Sequence, residues 1–264
     1  MLELKNVSKT FFPGTVNERR ALIDLNLTLA DGDFVTIIGG NGAGKSTLFN
    51  AIAGAFLIDA GNIWLDGENI TFQRDYRRAR HIGRLFQDPL GGTAPNMTIE
   101  ENLAMAYLRG TRRGFSFGVS KKDRAFFRDR LAELDLGLED RLDTKMGLLS
   151  GGQRQAVTLM MATIVTPKLL LLDEHTAALD PATAEKVSLL TQEIVRKDKI
   201  TTMMITHNMH QSLSCGSRTI MMDEGRIILD ISGPERSGMT VPKLLTLFKK
   251  QSSKEFDNDR MMLG

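Results

Sequence analysis

Hydrophobic positions in this chain repeat in three ways, and each repeat predicts a different element. Residues 2–9, 26–30 and 62–65 alternate apolar with polar side chains, the period of antiparallel strands with one wet face. Phe34-Val35-Thr36-Ile37-Ile38 and Leu169-Leu170-Leu171-Leu172 are short continuous apolar runs, which predict strands covered on both faces in a parallel sheet. Residues 47–53 repeat at helical spacing and stop at Gly54. The helical period returns in 153–161, and in 102–108 behind the capping box Thr98-Ile99-Glu100-Glu101. It returns again in 121–136, turning Phe126, Leu131 and Leu134 toward a core. Asp180 before Pro181 predicts a helix start running to about Arg196. Strands follow at 201–206 and 219–223, the second closed by a Glu224-Gly225-Arg226 hairpin turn.

These elements predict an α/β core with an antiparallel β-subdomain and an α-helical subdomain over about residues 95–166. Between Gln87 and Thr98, glycine and proline are dense enough to predict a mobile connection between subdomains. Residues 251–264 are polar and then Met-rich, and are expected to be disordered in part. The hydrophobic fraction of 42% and charged fraction of 25% are ordinary for a soluble globular protein. A net charge of +2 gives no argument for nucleic acid. Cys215 is the only cysteine, which excludes an intrachain disulfide and fits a reducing compartment. The opening Met1-Leu2-Glu3-Leu4-Lys5 has no signal pattern, and the longest uncharged apolar stretch, 156–165, is about half a bilayer span. A cytoplasmic chain is expected, reaching any membrane through a partner.

Chemistry enters at three places, in an order that gives them meaning. Gly39-Gly40-Asn41-Gly42-Ala43-Gly44-Lys45-Ser46-Thr47 is a complete G-x-x-x-x-G-K-[ST] loop between the first apolar strand and its helix. Glycines let backbone N–H groups turn inward around phosphate oxygens, Lys45 neutralises them, and the Ser46 hydroxyl suits Mg²⁺. The four leucines at 169–172 end in Asp173 and Glu174, acids at the carboxyl end of a buried strand, where open α/β sheets bind ligands. Asp173 is expected to serve Mg²⁺ through water, and Glu174 to polarise an attacking water. Leu149-Ser150-Gly151-Gly152-Gln153 opens a helix with a hydroxyl and bare N–H groups, a second anion site. The competing reading of that segment is a serine-capped helix after a glycine turn.

Together these residues resemble the ATP-binding subunit of an ABC (ATP-binding cassette) transporter, over at least residues 2–230. Walker A is Gly39–Thr47, the signature is residues 149–153, and Walker B is Leu169–Asp173 followed by Glu174. The resemblance implies a P-loop ABC-type ATPase domain over 1–250, with ATP and Mg²⁺ as its small-molecule partners. It identifies Gln87, in Leu85-Phe86-Gln87-Asp88-Pro89, as the Q-loop residue that bridges Mg²⁺ and a permease-facing loop. Asp180, closing Ala177-Ala178-Leu179-Asp180, matches the D-loop, and His207, after Met204-Ile205-Thr206, matches the switch histidine on the γ-phosphate. Phe11 stands where the family has an aromatic under adenine, with Phe12 beside it. His81, His175 and His210 match no metal-ligand spacing.

One cassette in one chain implies a head-to-tail dimer, with a second copy or a paralogous ATPase subunit. Ser150, Gly151, Gly152 and Gln153 of one chain would cap ATP on the other. The resemblance further implies a transmembrane permease, an extracytoplasmic solute-binding protein acting through it, no nucleic acid, and a peripheral place on the inner face of the membrane. His175 replaces the proline the family often has after its catalytic glutamate, and could tune Glu174 in geometry or pH response. The wording of residues 173–181 is similar to importer ATPases whose permeases are of the branched-chain amino-acid type, some serving aromatic amino acids. The rival class, soluble ABC-type ATPases of nucleic acid or ribosomes, carries long coiled coils or two cassettes per chain. This sequence has neither.

Overall fold

The computed structural model describes residues 1–109 and 118–251, so the expected tail lies outside the described residues past Gln251. Along the chain run the strands β1 Leu2–Phe11, β2 Arg19–Leu29, β3 Phe34–Gly39, β4 Ala60–Leu65, β5 Glu68–Asn69, β6 Ile82–Leu85, β7 Leu169–Asp173, β8 Thr202–Ile205, β9 Arg218–Asp223 and β10 Arg226–Ser232. The helices are α1 Lys45–Ala53, α2 Asp75–Arg78, α3 Ile99–Leu108, α4 Lys121–Ala132, α5 Gly151–Thr163, α6 Pro181–Asp198, α7 Met209–Ser214, α8 Gly233–Ser237 and α9 Val241–Gln251. Two compact units emerge, one of Met1–Ala79 with residues 199–251, the other Arg80–Asp198.

The first unit contains the expected antiparallel sheet, in the order β2-β1-β4-β5. It also contains β3, every residue of which is buried, running parallel to both β8 and β9. A strand with no exposed face needs no alternation, which is why its sequence is a continuous apolar run. β9 turns into β10 through Glu224-Gly225, both at positive φ (44° and 78°), as a type I′ hairpin requires. Leu244 and Phe248 of α9 close a core with Ile38, Met209, Met221 and Ile231.

α1 ends where expected, at Gly54, which is left-handed at φ 81°. Its last carbonyls have an unexpected partner. Arg78 is buried, and its Nη1 donates to Ala51 O (2.7 Å) and Ile52 O (2.9 Å). Its Nη2 and Nε donate to Thr71 O and Gln73 O. Burial lowers the Arg78 pKa, yet the cation complements the negative end of the α1 dipole.

The second unit pairs β6 with β7 in parallel, packs α5 against β6, and sets α3, α4 and α6 against α5. The Thr98 capping box opens α3 as read, with Thr98 N donating to the Glu101 carboxylate (2.7 Å) and Glu101 N to Thr98 Oγ1 (3.2 Å). One core assignment is corrected. α4 turns Phe127 inward, with Leu131 and then Leu134, while Phe126 is half-buried against Tyr107. The spacing 127–131–134 is the i, i+4, i+7 stripe, and adjacent phenylalanines hid its phase. Residues 88–97, expected as a mobile connection, form a 3₁₀ turn (Pro89–Gly92) and lie inside this unit. Buried Asn102 ties them down, accepting from Ala94 N (2.8 Å) and donating to Ala94 O (3.1 Å).

Candidate functional site

In the first unit the phosphate-loop residues leave the carboxyl end of β3, and His207 leaves the neighbouring end of parallel β8. Thr206 N donates to Ile37 O (3.1 Å), which seats the His207 turn beside the loop's root. Gly44 is left-handed at φ 100° and precedes α1, whose N-terminus has no side-chain cap and no acid in its first turn. Bare N–H groups there are a ready anion site. A Cβ on Gly44 would stand 2.6 Å from Ala21 O, and one on Gly39 2.2 Å from Met222 O. Close backbone approach therefore demands glycine at both positions.

Lys45 is buried and donates to Gly39 O (2.7 Å) and Gly40 O (3.0 Å), which draws its ammonium across the loop. Asn41, Gly42 and Ser46 are exposed, Thr47 is half-buried, and Ala43 is buried. Two braces for the loop were not read from the sequence. Gly225 N of the β9–β10 turn donates to Ala43 O (3.0 Å), and Arg19 Nη2 at the start of β2 donates to Gly42 O (3.0 Å). Both are distant in sequence, and only the strand pairing brings them near.

Phe11 ends β1 half-buried, its ring edge-on to Phe56 with centroids 5.3 Å apart. Lys9 Nζ lies 5.6 Å from the Phe11 centroid and 5.5 Å from that of Phe56. Phe12 is 66% exposed and at positive φ. The structure thus separates the two phenylalanines that stand together in the sequence: Phe11 belongs to an ordered ring pair, and Phe12 does not.

In the second unit Gln87 and the acids leave the carboxyl ends of neighbouring parallel strands, β6 and β7, in register Leu85 to Leu172. Gln87 is exposed, and Asp173 and Glu174 are half-buried. Arg84 Nη2 lies 3.7 Å from Asp173 Oδ2. Glu174 is left-handed at φ 47°, a conformation that glutamate adopts at a cost and that concentrates at functional sites. The turn after it is closed by Ala177 N donating to Glu174 O (2.9 Å). His175 is buried, its Nε2 3.2 Å from Thr191 Oγ1 on α6. Burial pulls its pKa down to about 4, so the ring is neutral at physiological pH and cannot give Glu174 a pH response there.

Ser150 caps α5: Gln153 N donates to its Oγ (3.3 Å), and the Gln153 side chain accepts from Ser150 N (3.2 Å). The serine cap of the competing reading is therefore present. Cβ atoms added to Gly152 and Gly151 would come within 2.1 Å of Thr183 Cγ2 and 3.3 Å of Leu179 Cδ2. The two glycines bring the signature against the D-loop and the start of α6. Asp180 caps α6 by accepting from Thr183 N (3.1 Å), and hydrogen bonds from Thr183 lower its pKa.

An ABC transporter family model matches residues 22–177, more than half of the chain and all of Walker A, signature and Walker B. The chain belongs to the ABC transporter ATP-binding family. It is an ATPase subunit with the P-loop ABC fold, and its family couples ATP hydrolysis to transport. It is 43% identical to a tyrosine transport ATP-binding protein of Clostridioides difficile, over 94% of this chain and 99% of that one. It is 31% identical to the energy-coupling factor transporter ATP-binding protein EcfA2 of Acetivibrio thermocellus, over 96% and 90%. Among solved structures, the dimeric post-hydrolysis ATP-binding cassette MJ0796 bound to ADP and Pi covers 88% of this chain and 98% of its own. It does so at 30% identity and a TM-score of 0.76. Among the described residues of the subunit, no helix is long and apolar enough to cross a membrane.

Each unit by itself carries an oxygen donor of the kind a hard cation takes: the exposed Ser46 hydroxyl in the first and the half-buried Asp173 carboxylate in the second, with no soft ligand in either motif. The glycine cradle admits backbone but no Cβ, which suits phosphate oxygens.

Proposed function

We propose that this subunit, through its ATPase domain over 1–250 with the helical subdomain at about 95–166, powers import of an amino acid by a separate permease. The aromatic class is the favoured cargo. The observation that carries the reading is the likeness to a tyrosine transport ATP-binding protein across nearly the whole of both chains. Less similar relatives named for spermidine/putrescine import and for sulfate/thiosulfate import support import as the direction.

In this reading Lys45, the loop N–H groups of Gly42 to Thr47, and Ser46 bind the triphosphate and its Mg²⁺. Phe11 supports the adenine. Ser46, Asp173 and Gln87 would hold the Mg²⁺, which, when bound, neutralises charge on the β- and γ-phosphate oxygens. Glu174 accepts the proton of the attacking water, or orients it, and His207 donates to the γ-phosphate. Ser150, Gly151, Gly152 and Gln153 of a second copy close the site, and Asp180 relays between copies. ATP complements both anion sites at once, so closure depends on the γ-phosphate and hydrolysis reverses it. That cycle drives the permease from the inner membrane face, with an extracytoplasmic solute-binding protein delivering cargo.

Co-expression with the neighbouring permease and reconstitution into proteoliposomes tests this. Uptake of labelled tyrosine, phenylalanine or tryptophan should require internal ATP and stop in a Lys45→Ala subunit. ATPase activity that no permease and no amino acid stimulates, with stimulation by RNA or ribosomes instead, would favour the soluble-ATPase alternative.

A further inference from the structure

Arg84 is a charge beside the Walker B aspartate that no motif explains. β6 pairs with β7 so that Arg84 is opposite Leu171, which puts Asp173, two residues on, on the same face of the pair. The guanidinium reaches along that face to Asp173 Oδ2 at 3.7 Å, and both side chains are more than four-fifths buried. Its carbon centre lies 4.6 Å from the Phe86 ring centroid, a cation–π stack on the residue just before Gln87. One side chain thus touches the Walker B aspartate and supports the start of the Q-loop.

Stability alone does not account for it. Burial lowers the Arg84 pKa, with Asp173 opposing the shift, and Arg84 Nε is buried with no hydrogen-bond partner. A buried guanidinium with an unmet donor costs free energy that methionine or leucine would not. What the arginine provides instead is orientation: a planar cation locked on Phe86 engages one carboxylate oxygen.

We propose that Arg84 is a positioning residue for the Asp173 carboxylate, fixing its orientation on the face of the β6–β7 pair and linking it to the Gln87 segment through Phe86. The inference rests on the reading of Asp173 as a Mg²⁺-side group. Groups that orient metal-associated carboxylates are worth about ten- to a hundredfold in metal affinity or activity.

The test is the equilibrium affinity for a fluorescent ATP analogue measured without metal and across a series of free Mg²⁺ concentrations. Arg84→Met should leave metal-free affinity unchanged and cut the Mg²⁺-driven gain about tenfold. Arg84→Lys, which keeps charge but not the plane, should recover part of the gain, and carries the test if the methionine variant does not fold. Asp173→Asn should cut the gain too, and the double variant should be no worse than Asp173→Asn alone. If Asp173→Asn abolishes the gain while Arg84→Met leaves or increases it, Arg84 only packs the strand and the inference falls. If neither change moves the gain, the Asp173 assignment itself fails.

Discussion

His175 makes the stability of this protein depend on acid in a way that one substitution isolates. The ring is buried beside Glu174, its Nε2 is shared with Thr191 Oγ1, and burial holds its pKa at about 4 against an ordinary 6.5. Above pH 7 it is neutral in the folded and unfolded chain, and contributes no pH dependence. As pH falls through 6.5 the unfolded chain gains a proton that the folded chain refuses, so stability drops until about pH 4. The full effect is about 3.5 kcal/mol, from two and a half pKa units at about 1.4 kcal/mol each. By pH 5 about 2 kcal/mol of it is already lost. Urea denaturation of wild type and His175→Gln at pH 7.5 and pH 5 measures this directly. The glutamine amide can still reach Thr191 but does not titrate, so other groups cancel in the comparison. Wild type should lose about 2 kcal/mol more than the variant between the two pH values. Equal losses, or a smaller loss in wild type, would show that the imidazole is protonated in the native state and that the burial argument is wrong.

Three further outcomes follow from the site. Gly44→Ala forces a Cβ to 2.6 Å from Ala21 O at φ 100°, and should destabilise the chain by about 1–3 kcal/mol and abolish ATP binding, read by calorimetry. Ser150→Ala removes a helix cap and should cost about 1 kcal/mol in a monomer denaturation curve, while eliminating ATP-dependent dimerisation. A variant that loses stability but dimerises normally would restrict Ser150 to capping. Phe11→Ala should weaken ATP about tenfold or more, by loss of base stacking, and Phe12→Ala should not; the reverse result would move the adenine platform one residue.

Most of the candidate site was legible because the proposed chemistry demands particular residues at contiguous positions. The Gly39–Thr47 loop, the Leu169–Asp173 strand and the Leu149-to-Gln153 turn each carry their meaning locally, and each sits in the element its pattern predicts. What escaped were the groups whose partners lie far along the chain. Arg78 on the end of α1, Arg19 and Gly225 against the loop, and Arg84 against Asp173 are ordinary residues until the fold places them. Phe127 was missed for a different reason, since two adjacent aromatics fit a helical stripe in either phase. Glu174 gave no sign in the sequence of its left-handed backbone, because nothing about glutamate predicts it.

Head-to-tail closure around the nucleotide is the proposition on which the functional account depends, and mass in solution measures it most directly. Light scattering of a Glu174→Gln subunit with saturating MgATP should show a stable dimer carrying two ATP, reverting to monomer with ADP. A folded variant that binds MgATP and remains a monomer, alone and beside its permease, would contradict the account.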